Sequence, residues 1–311
     1  MFVGIDVGGT NLKAGLVDQE GHLLAAARRP LSGFTGAEDF ATDLTELVLQ
    51  AAKEGGVGVE ALESVGIGLP GAVDGGNVLF TTNIPMENVP LAKLFRQRLD
   101  VPVYLGNDAD CAAVGEFFGG AGRGCRDFVV VTLGTGIGAG IILDGKLRGG
   151  LASSEAGHMV IQQGGEPCNC GRRGCWERYA SATGLIRLTR EAMAAHPESA
   201  LHALAAQGGV EGRTAFEAAQ QGDETALAVC RTYVSYLADG LVSLINILRP
   251  EVVAIGGGVA AAPDHLLLDP LREIVSRESF GCHGGRCTRV LRAELGNDAG
   301  IIGAALLGRA Q

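Results

Sequence analysis

Three segments from the first half of the chain recur in the second half, in the same order. Residues 3–10 (VGIDVGGT) resemble 129–136 (VVVTLGTG), and residues 65–73 (VGIGLPGAV) resemble 253–259 (VAIGGGV). The pentapeptide LGNDA occurs at 105–109 and returns unchanged at 295–299. Self-similarity in register is typical of duplicated structural units. The sequence therefore predicts two homologous α/β lobes, each with a hairpin, a strand that runs into glycines, and a helix.

The length of 311 residues is sufficient for two such lobes. We predict a small N-terminal lobe at 1–118 and a larger lobe at 119–296, with a C-terminal helix at about 297–311 that packs back on the first lobe. Hydrophobic residues at helical spacing predict a helix at 37–54 and, in an insertion at about 149–249, helices near 182–195, 214–221 and 225–248. The glycine turns of both lobes are expected to face a cleft that binds small ligands.

Charge and hydropathy exclude two classes of partner. The net charge is −10, which disfavours nucleic acid as a partner, because phosphate backbones bind clustered Lys and Arg. No apolar run reaches the ~20 residues that a membrane-spanning helix needs. The strand-like pattern that begins at the first residues leaves no room for a signal peptide. We therefore expect a cytoplasmic protein that binds neither nucleic acid nor membranes.

Two glycine turns are candidates for binding phosphate. Asp6 ends a buried strand and is followed by Gly8, Gly9 and Thr10, whose backbone could approach an anion closely, while Asp6 could hold a Mg²⁺-bound water. A tight hairpin explains this turn equally well by itself. The similar turn Gly134-Thr135-Gly136 favours the functional interpretation, because two such turns could hold a polyphosphate between them. The glycines at 256–258 would suit the close approach of a nucleoside.

Asn107-Asp108 follows a predicted strand and begins a predicted helix. An aspartate at that position is commonly an N-cap. In a ligand cleft, the same carboxylate could accept the proton of a hydroxyl that attacks the γ-phosphate of ATP. For Asp298, in the second copy of LGNDA, we expect the N-cap.

The most specific motif is a cluster of one histidine and three cysteines. His158, Cys168, Cys170 and Cys175 lie within 18 residues and suit a tetrahedral Cys₃His zinc site. Because the protein would fill all four positions, we expect a structural zinc. Glu155 and Glu177 flank these ligands and could present carboxylates to a polyol. Cys282, His283 and Cys287 lack a fourth ligand, which disfavours a second metal site, and their role stays open.

The segments GIDVGGT, GNDA, LGTGIGAG, EAGH and CNCGRRGCWE together resemble the ROK family of repressors and sugar kinases, across essentially the whole chain. The resemblance implies an actin-like, hexokinase-type fold with duplicated ribonuclease-H-like lobes, Mg²⁺-ATP as phosphate donor, and a homodimer or homotetramer. It assigns Asp108 as the catalytic base and implies three further groups of site residues. These are the sugar contacts Gly71, Asn83, Asn107, Asp108, Glu155, His158 and Glu177, the zinc ligands His158, Cys168, Cys170 and Cys175, and the ATP contacts Asp6, Gly8, Gly9, Thr10, Asn11, Lys13, Gly134, Thr135, Gly136, Gly256, Gly257 and Gly258.

Within this resemblance, a kinase is favoured over a repressor. Repressors of the family carry a winged helix-turn-helix before the first glycine turn, whereas Gly8 lies eight residues from the start of this sequence. Among kinases we expect a glucokinase, with N-acetylmannosamine kinase and fructokinase or allose kinase as alternatives. A sugar-sensing regulator without activity is a more distant alternative. Hexose choice depends on one or two hydrogen bonds, which sequence patterns do not specify.

Overall fold

The computed structural model describes residues 1–31, 36–81, 84–149, 153–282 and 287–311. Asn83, a predicted sugar contact, and His283, considered above as a metal ligand, lie outside the described residues. Among the described residues there is no helix long and apolar enough to cross a membrane.

Five strands form the first sheet, in the order β3-β2-β1-β4-β8. The hairpin β1–β2 is antiparallel, whereas β4 and β8 run parallel to β1 and to each other. The strand bounds are β1 Phe2–Val7, β2 Asn11–Val17, β3 Leu23–Pro30, β4 Ser64–Leu69 and β8 Val103–Asn107. A separate three-stranded sheet follows β4 and has the order β5-β6-β7, with β5 Gly71–Asp74, β6 Asn77–Thr81 and β7 Glu87–Val89.

The second five-stranded sheet has the order β11-β10-β9-β12-β13. Its strands are β9 Phe128–Leu133, β10 Ile137–Leu143, β11 Lys146–Leu147, β12 Val252–Gly256 and β13 Arg289–Arg292. Each strand occupies the same place in the order as its counterpart in the first sheet: β9 corresponds to β1, β12 to β4 and β13 to β8. The duplicated α/β fold predicted from the repeat is therefore confirmed.

The helices predicted at 37–54, 182–195, 214–221 and 225–248 all form, with ends that agree to within one residue, and the C-terminal helix predicted at about 297–311 spans Ala299–Ala310. The helix bounds are α1 Ala37–Glu54, α2 Leu91–Arg96, α3 Asp108–Gly119, α4 Glu177–Ala180, α5 Ala182–Ala195, α6 Leu201–Gly208, α7 Thr214–Gln220, α8 Glu224–Leu248, α9 Leu268–Glu278 and α10 Ala299–Ala310. Asp298 occupies the N-cap position of α10, but its side chain makes no capping hydrogen bond. Asp298 therefore has the expected N-cap position, but with a helical backbone conformation and without the side-chain hydrogen bond of a cap.

The chain forms two compact units. The first comprises Met1–Val130, Gly140–Ser154 and Glu294–Gln311, and the second comprises Val131–Ala139 and Glu155–Ala293. The two lobes predicted from the sequence, at 1–118 and 119–296, stay a prediction.

In the first unit, α10 packs directly against the first sheet and α3. A Cβ added at Gly4 of β1 would lie 1.9 Å from the carbonyl oxygen of Ile301, and one added at Gly66 of β4 would lie 1.7 Å from that of Ala304. These glycines are required because the helix backbone lies directly on the strands. Their close packing fixes α3, which begins at Asp108, relative to the sheet.

Candidate functional site

The first glycine turn joins β1 to β2 in the first unit. The N–H of Gly8 donates to the carbonyl oxygen of Asn11 at 3.0 Å, and Asn11 Nδ2 donates to Thr10 Oγ1 at 2.9 Å. The N–H of Leu31, just beyond β3, donates to the carbonyl of Thr10 at 2.8 Å. The turn is therefore held by its own residues and by the segment after the adjacent strand.

Asp6 lies near the end of β1 and pairs across the hairpin with Lys13. Burial raises the pKa of the Asp6 carboxyl; the charge of Lys13 opposes this rise, while that of Asp108 adds to it. The structure thus brings together two carboxylates and one ammonium that the sequence assigned to phosphate binding and catalysis. Such a pair of carboxylates is suited to the neighbourhood of a divalent cation.

Asn107 and Gly71, two predicted sugar contacts, share a hydrogen bond. Asn107 Nδ2 donates to the carbonyl oxygen of Gly71 at 2.9 Å, and Asn107 Oδ1 accepts from the N–H of Ala109 at 2.8 Å. Asn107, rather than Asp108, is therefore the N-cap of α3. A Cβ at Gly71 would lie 2.1 Å from the carbonyl oxygen of Phe80, so this position requires glycine.

Asp108 is the first residue of α3, and its side chain reaches solvent. Protein nevertheless surrounds much of the carboxylate, and this desolvation raises its pKa. The N–H of Ala109 donates to Asp108 Oδ1 at 2.9 Å and opposes the rise. An accessible carboxylate with a raised pKa has the properties of a general base.

The second unit holds the predicted metal cluster. The ligand atoms of His158, Cys168, Cys170 and Cys175 all lie within 4.8 Å of one another. Cys170 Sγ lies 3.6 Å from Cys175 Sγ, and Cys168 Sγ lies 3.6 Å from His158 Nδ1. With zinc–sulfur bonds of about 2.3 Å, tetrahedral geometry separates two sulfurs by roughly 3.8 Å. The four side chains therefore fit one tetrahedral ion.

Local backbone geometry explains why the cluster forms. The N–H of Cys168 donates to the carbonyl of Arg172 at 2.9 Å, which closes a tight loop around Cys170. Gly174 has a φ of 82°, and a Cβ there would lie 1.7 Å from the carbonyl oxygen of Gln162. Trp176 is fully buried, and its Nε1 donates to the carbonyl of Tyr236 in α8 at 2.9 Å. The metal loop is therefore anchored to the longest helix of the unit.

Both flanking carboxylates lie beside the cluster. Glu155 Oε2 is 3.8 Å from His158 Nε2, and Glu177 Oε1 is 3.8 Å from His158 Nδ1. Cys168 Sγ donates to Glu177 Oε1 at 3.2 Å. Desolvation raises the pKa of the Cys168 thiol to about 12, opposed by the N–H of Cys170. Cysteine binds metal as the thiolate, so a bound cation would displace this proton.

The second glycine turn lines a cavity of about 610 Å³ within the second unit. This volume is in the range of small-ligand sites. Gly134, Thr135 and Gly258, all predicted ATP contacts, line it together. Gly136, Gly256 and Gly257, which were also predicted ATP contacts, are not among its lining residues. A Cβ at Gly257 would instead lie 2.5 Å from the carbonyl oxygen of Leu133. The glycine at 257 thus permits β12 and β9 to approach closely.

The opposite wall of the cavity was not anticipated from the sequence. It is formed by α7 and the segment before it, with Arg213, Phe216, Glu217 and Gln220, and by Ala261–Pro263 after β12. Arg213 Nε donates to Glu211 Oε2 at 2.8 Å and lies 3.6 Å from Glu217 Oε1. The only signal in the sequence was an aromatic residue on a short helix, which is equally typical of a core.

Cys282 and Cys287 are not part of the metal cluster; their Cα atoms lie 4.8 Å apart, so the two sulfur atoms face each other. Among the described residues, the His158 cluster is the one group of three or more side chains placed to hold a metal.

Known proteins resemble the whole chain rather than one part of it. Glucokinase of Thermotoga maritima is 39% identical over 311 residues, covering 98% of this chain and 96% of that protein. Glucokinase of Streptomyces coelicolor is 36% identical over 317 residues, covering 99% and 98%. A ROK family glucokinase from Streptomyces griseus, crystallised with glucose and AMPPNP, is 38% identical with a TM-score of 0.79, covering 100% of this chain and 99% of that one. The ROK family model matches residues 2–311, and the chain belongs to the ROK family.

Proposed function

We propose that this chain is a glucokinase that transfers the γ-phosphoryl group of ATP to glucose and forms glucose 6-phosphate. The similarity to glucokinases over nearly the full length carries this proposal. It is supported by the relative crystallised with glucose and the ATP analogue AMPPNP, which shares 38% of its sequence with this chain.

Asp108 is proposed as the general base. Its carboxylate is accessible and has a raised pKa, so it can accept the proton of the C6 hydroxyl while that oxygen attacks the γ-phosphorus in line. Phosphoryl transfer depends mostly on positioning and charge stabilisation. Mg²⁺ bound with ATP supplies charge neutralisation, and Asp6 is suited to hold its hydration shell. Gly8–Thr10, Asn11 and Lys13 are proposed as further contacts of the phosphates.

The metal cluster is proposed to bind a structural Zn²⁺ through His158, Cys168, Cys170 and Cys175. Zinc would supply rigidity to the loop that carries Glu155 and Glu177. In the second unit, the proposed sugar contacts are the carboxylates of Glu155 and Glu177 and the imidazole of His158. In the first unit, they are Asn107, Asn83 and Gly71.

The cavity of the second unit is proposed as the nucleoside site. Its apolar residues Phe216, Val259 and Pro263 suit a flat base, and Gly134 and Thr135 of the second glycine turn line the same cavity. Gly136 and Gly256–Gly258 are proposed as further ATP contacts, because the absence of a side chain lets the nucleotide approach the backbone closely.

The proposal is tested by coupling ADP release to NADH oxidation with Mg²⁺-ATP over glucose, N-acetylmannosamine, N-acetylglucosamine, fructose, mannose and allose. A clear preference for glucose is expected. Preference for another hexose would support the proposed kinase activity but would replace glucose as the proposed substrate. Absence of turnover with every sugar, together with sugar binding by calorimetry, would favour a sugar-sensing regulator. Light scattering of the same sample would test the proposed homodimer or homotetramer.

A further inference from the structure

The start of α5 holds the second glycine turn through two consecutive carbonyl groups. The N–H of Ala182 donates to the carbonyl oxygen of Gly134 at 2.9 Å. The hydroxyl of Thr183 donates to the carbonyl oxygen of Thr135 at 2.7 Å. The N–H of Gly134 closes the turn by donating to the carbonyl of Gly136 at 3.1 Å.

These contacts determine where the amides of the turn point. In a planar trans peptide, the C=O of one residue and the N–H of the next point in opposite directions. Because the carbonyls of Gly134 and Thr135 face α5, the N–H groups of Thr135 and Gly136 point away from it. Neither N–H donates to any of the described residues. Two successive free amides of this kind form a concavity that binds anions.

The hydroxyl of Thr183 is not required to cap its own helix. Ser181 is the N-cap of α5, and its side chain accepts from the N–H of Gly184 at 3.1 Å. Thr183 is exposed and follows in the first turn. Its one hydrogen bond therefore serves the glycine turn, since the capping of α5 is already complete.

We propose that Thr183 is a positioning residue for the phosphate donor. Its hydroxyl fixes the Thr135–Gly136 peptide so that the N–H of Gly136 faces the phosphates of ATP before they bind. Preorganised amides of this kind avoid reorganisation when charge develops in phosphoryl transfer. This inference rests on the proposed kinase function, because it assigns a task within the same nucleotide site.

The test compares Thr183→Val, which removes the hydroxyl at nearly constant volume, with Thr183→Ser, which keeps it. In Thr183→Val we expect the KM for Mg²⁺-ATP to rise roughly fivefold to tenfold, the change that loss of one hydrogen bond produces. The KM for glucose and the melting temperature should stay near those of the parent protein. Thr183→Ser should restore the KM for Mg²⁺-ATP. Calorimetry with Mg²⁺-AMPPNP should show the same order of affinities without turnover.

Thr225→Val is the matched control, because Thr225 is the second residue of α8 as Thr183 is of α5. It should leave both KM values unchanged. The inference would be overturned if Thr183→Val left the KM for Mg²⁺-ATP unchanged, or if Thr183→Ser failed to restore it. In either case, turnover by the parent protein would still support the proposed kinase function. A parent protein that neither turns over nor binds the nucleotide would overturn both.

Discussion

Cys168 Sγ and Glu177 Oε1 lie 3.2 Å apart and share a hydrogen bond. The sulfur belongs to the metal cluster, and the carboxylate is a proposed sugar contact. Glu177 begins α4 directly after the buried Trp176, and its Oε1 also lies 3.8 Å from His158 Nδ1, so its carboxylate stands beside two members of the cluster. Any change that rearranges the cysteines is therefore expected to move Glu177, the proposed sugar contact.

Cys170→Ala should lose the metal and weaken glucose binding. The substitution removes one of four ligands from a cluster whose atoms lie within 4.8 Å of one another. Loss of the ion would release the loop that holds Glu155, His158 and Glu177, so we expect the Kd for glucose to rise roughly tenfold or more. Elemental analysis and calorimetry measure the two effects. Cys125→Ala, a cysteine of the first unit, is the control, and metal content equal to that of the parent in Cys170→Ala would refute the ligand set.

Asp108→Asn should abolish turnover and retain sugar affinity. General bases contribute about 10²- to 10⁴-fold to rates, and asparagine can still accept the hydrogen bond from Ala109. The matched control is Asp298→Asn, because Asp298 is the exposed aspartate of the second LGNDA segment. Comparable turnover of the two variants would exclude Asp108 as the base.

The pH dependence of turnover tests the same assignment independently. The base must be ionised to act, and the pKa of Asp108 is raised above its ordinary value of 3.8. Turnover should therefore fall as the pH decreases through a value above 3.8. A plot of log kcat against pH should have a slope of one there, because a single carboxyl group is protonated. Glucose binding is measured over the same pH range. A fall in turnover without a fall in glucose affinity distinguishes the protonation of Asp108 from that of the carboxylates that are proposed to bind the sugar.

The duplicated strands followed from the internal sequence repeat, and the helices at 37–54, 182–195, 214–221 and 225–248 followed from hydrophobic periodicity, because each of these segments carries its own pattern. The metal cluster was predictable because its ligands lie close in sequence and glycines separate them. The cavity of the second unit was not predictable, since α7 and the turn at Gly134 and Thr135 line it together only in the folded chain, although about eighty residues separate them in the sequence. The hydroxyl of Thr183 gave no signal for the same reason: a threonine in the first turn of a helix is unremarkable until its acceptor is known.

Gly136→Ala should weaken glucose binding with little loss of stability. A Cβ at this position would lie 2.5 Å from Glu177 Oε2. The carboxylate is the free end of a side chain, so it can move away, and we expect a change in unfolding free energy below about 1 kcal/mol. The displaced carboxylate should raise the KM for glucose several-fold. Gly208→Ala is the control, because a Cβ at that position would meet nothing within 4 Å. Equal KM values for glucose in the two variants would contradict the view that Gly136 leaves room for the Glu177 carboxylate.

Glu116 is the buried carboxylate that joins α3 to the chain before α10. Its side chain is 1% exposed and accepts from the N–H groups of Ala121, Glu294 and Leu295 at 2.9, 3.0 and 2.8 Å. Glu116→Gln should destabilise the first unit by about 2–4 kcal/mol, because the new amide group must face one of three N–H donors and leave it unpaired.

Thermal denaturation measures this loss, and hydrogen exchange at residues 121, 294 and 295 locates it. Glu294→Gln is the control: Glu294 is about half exposed and pairs with Arg123 on the surface, so its loss should cost under about 1 kcal/mol. If both variants melt alike, the three hydrogen bonds do not hold the end of α3. If only Glu116→Gln melts at a lower temperature, this one carboxylate fixes the far end of the helix that begins at Asp108. The kcat of Glu116→Gln should then fall together with its stability.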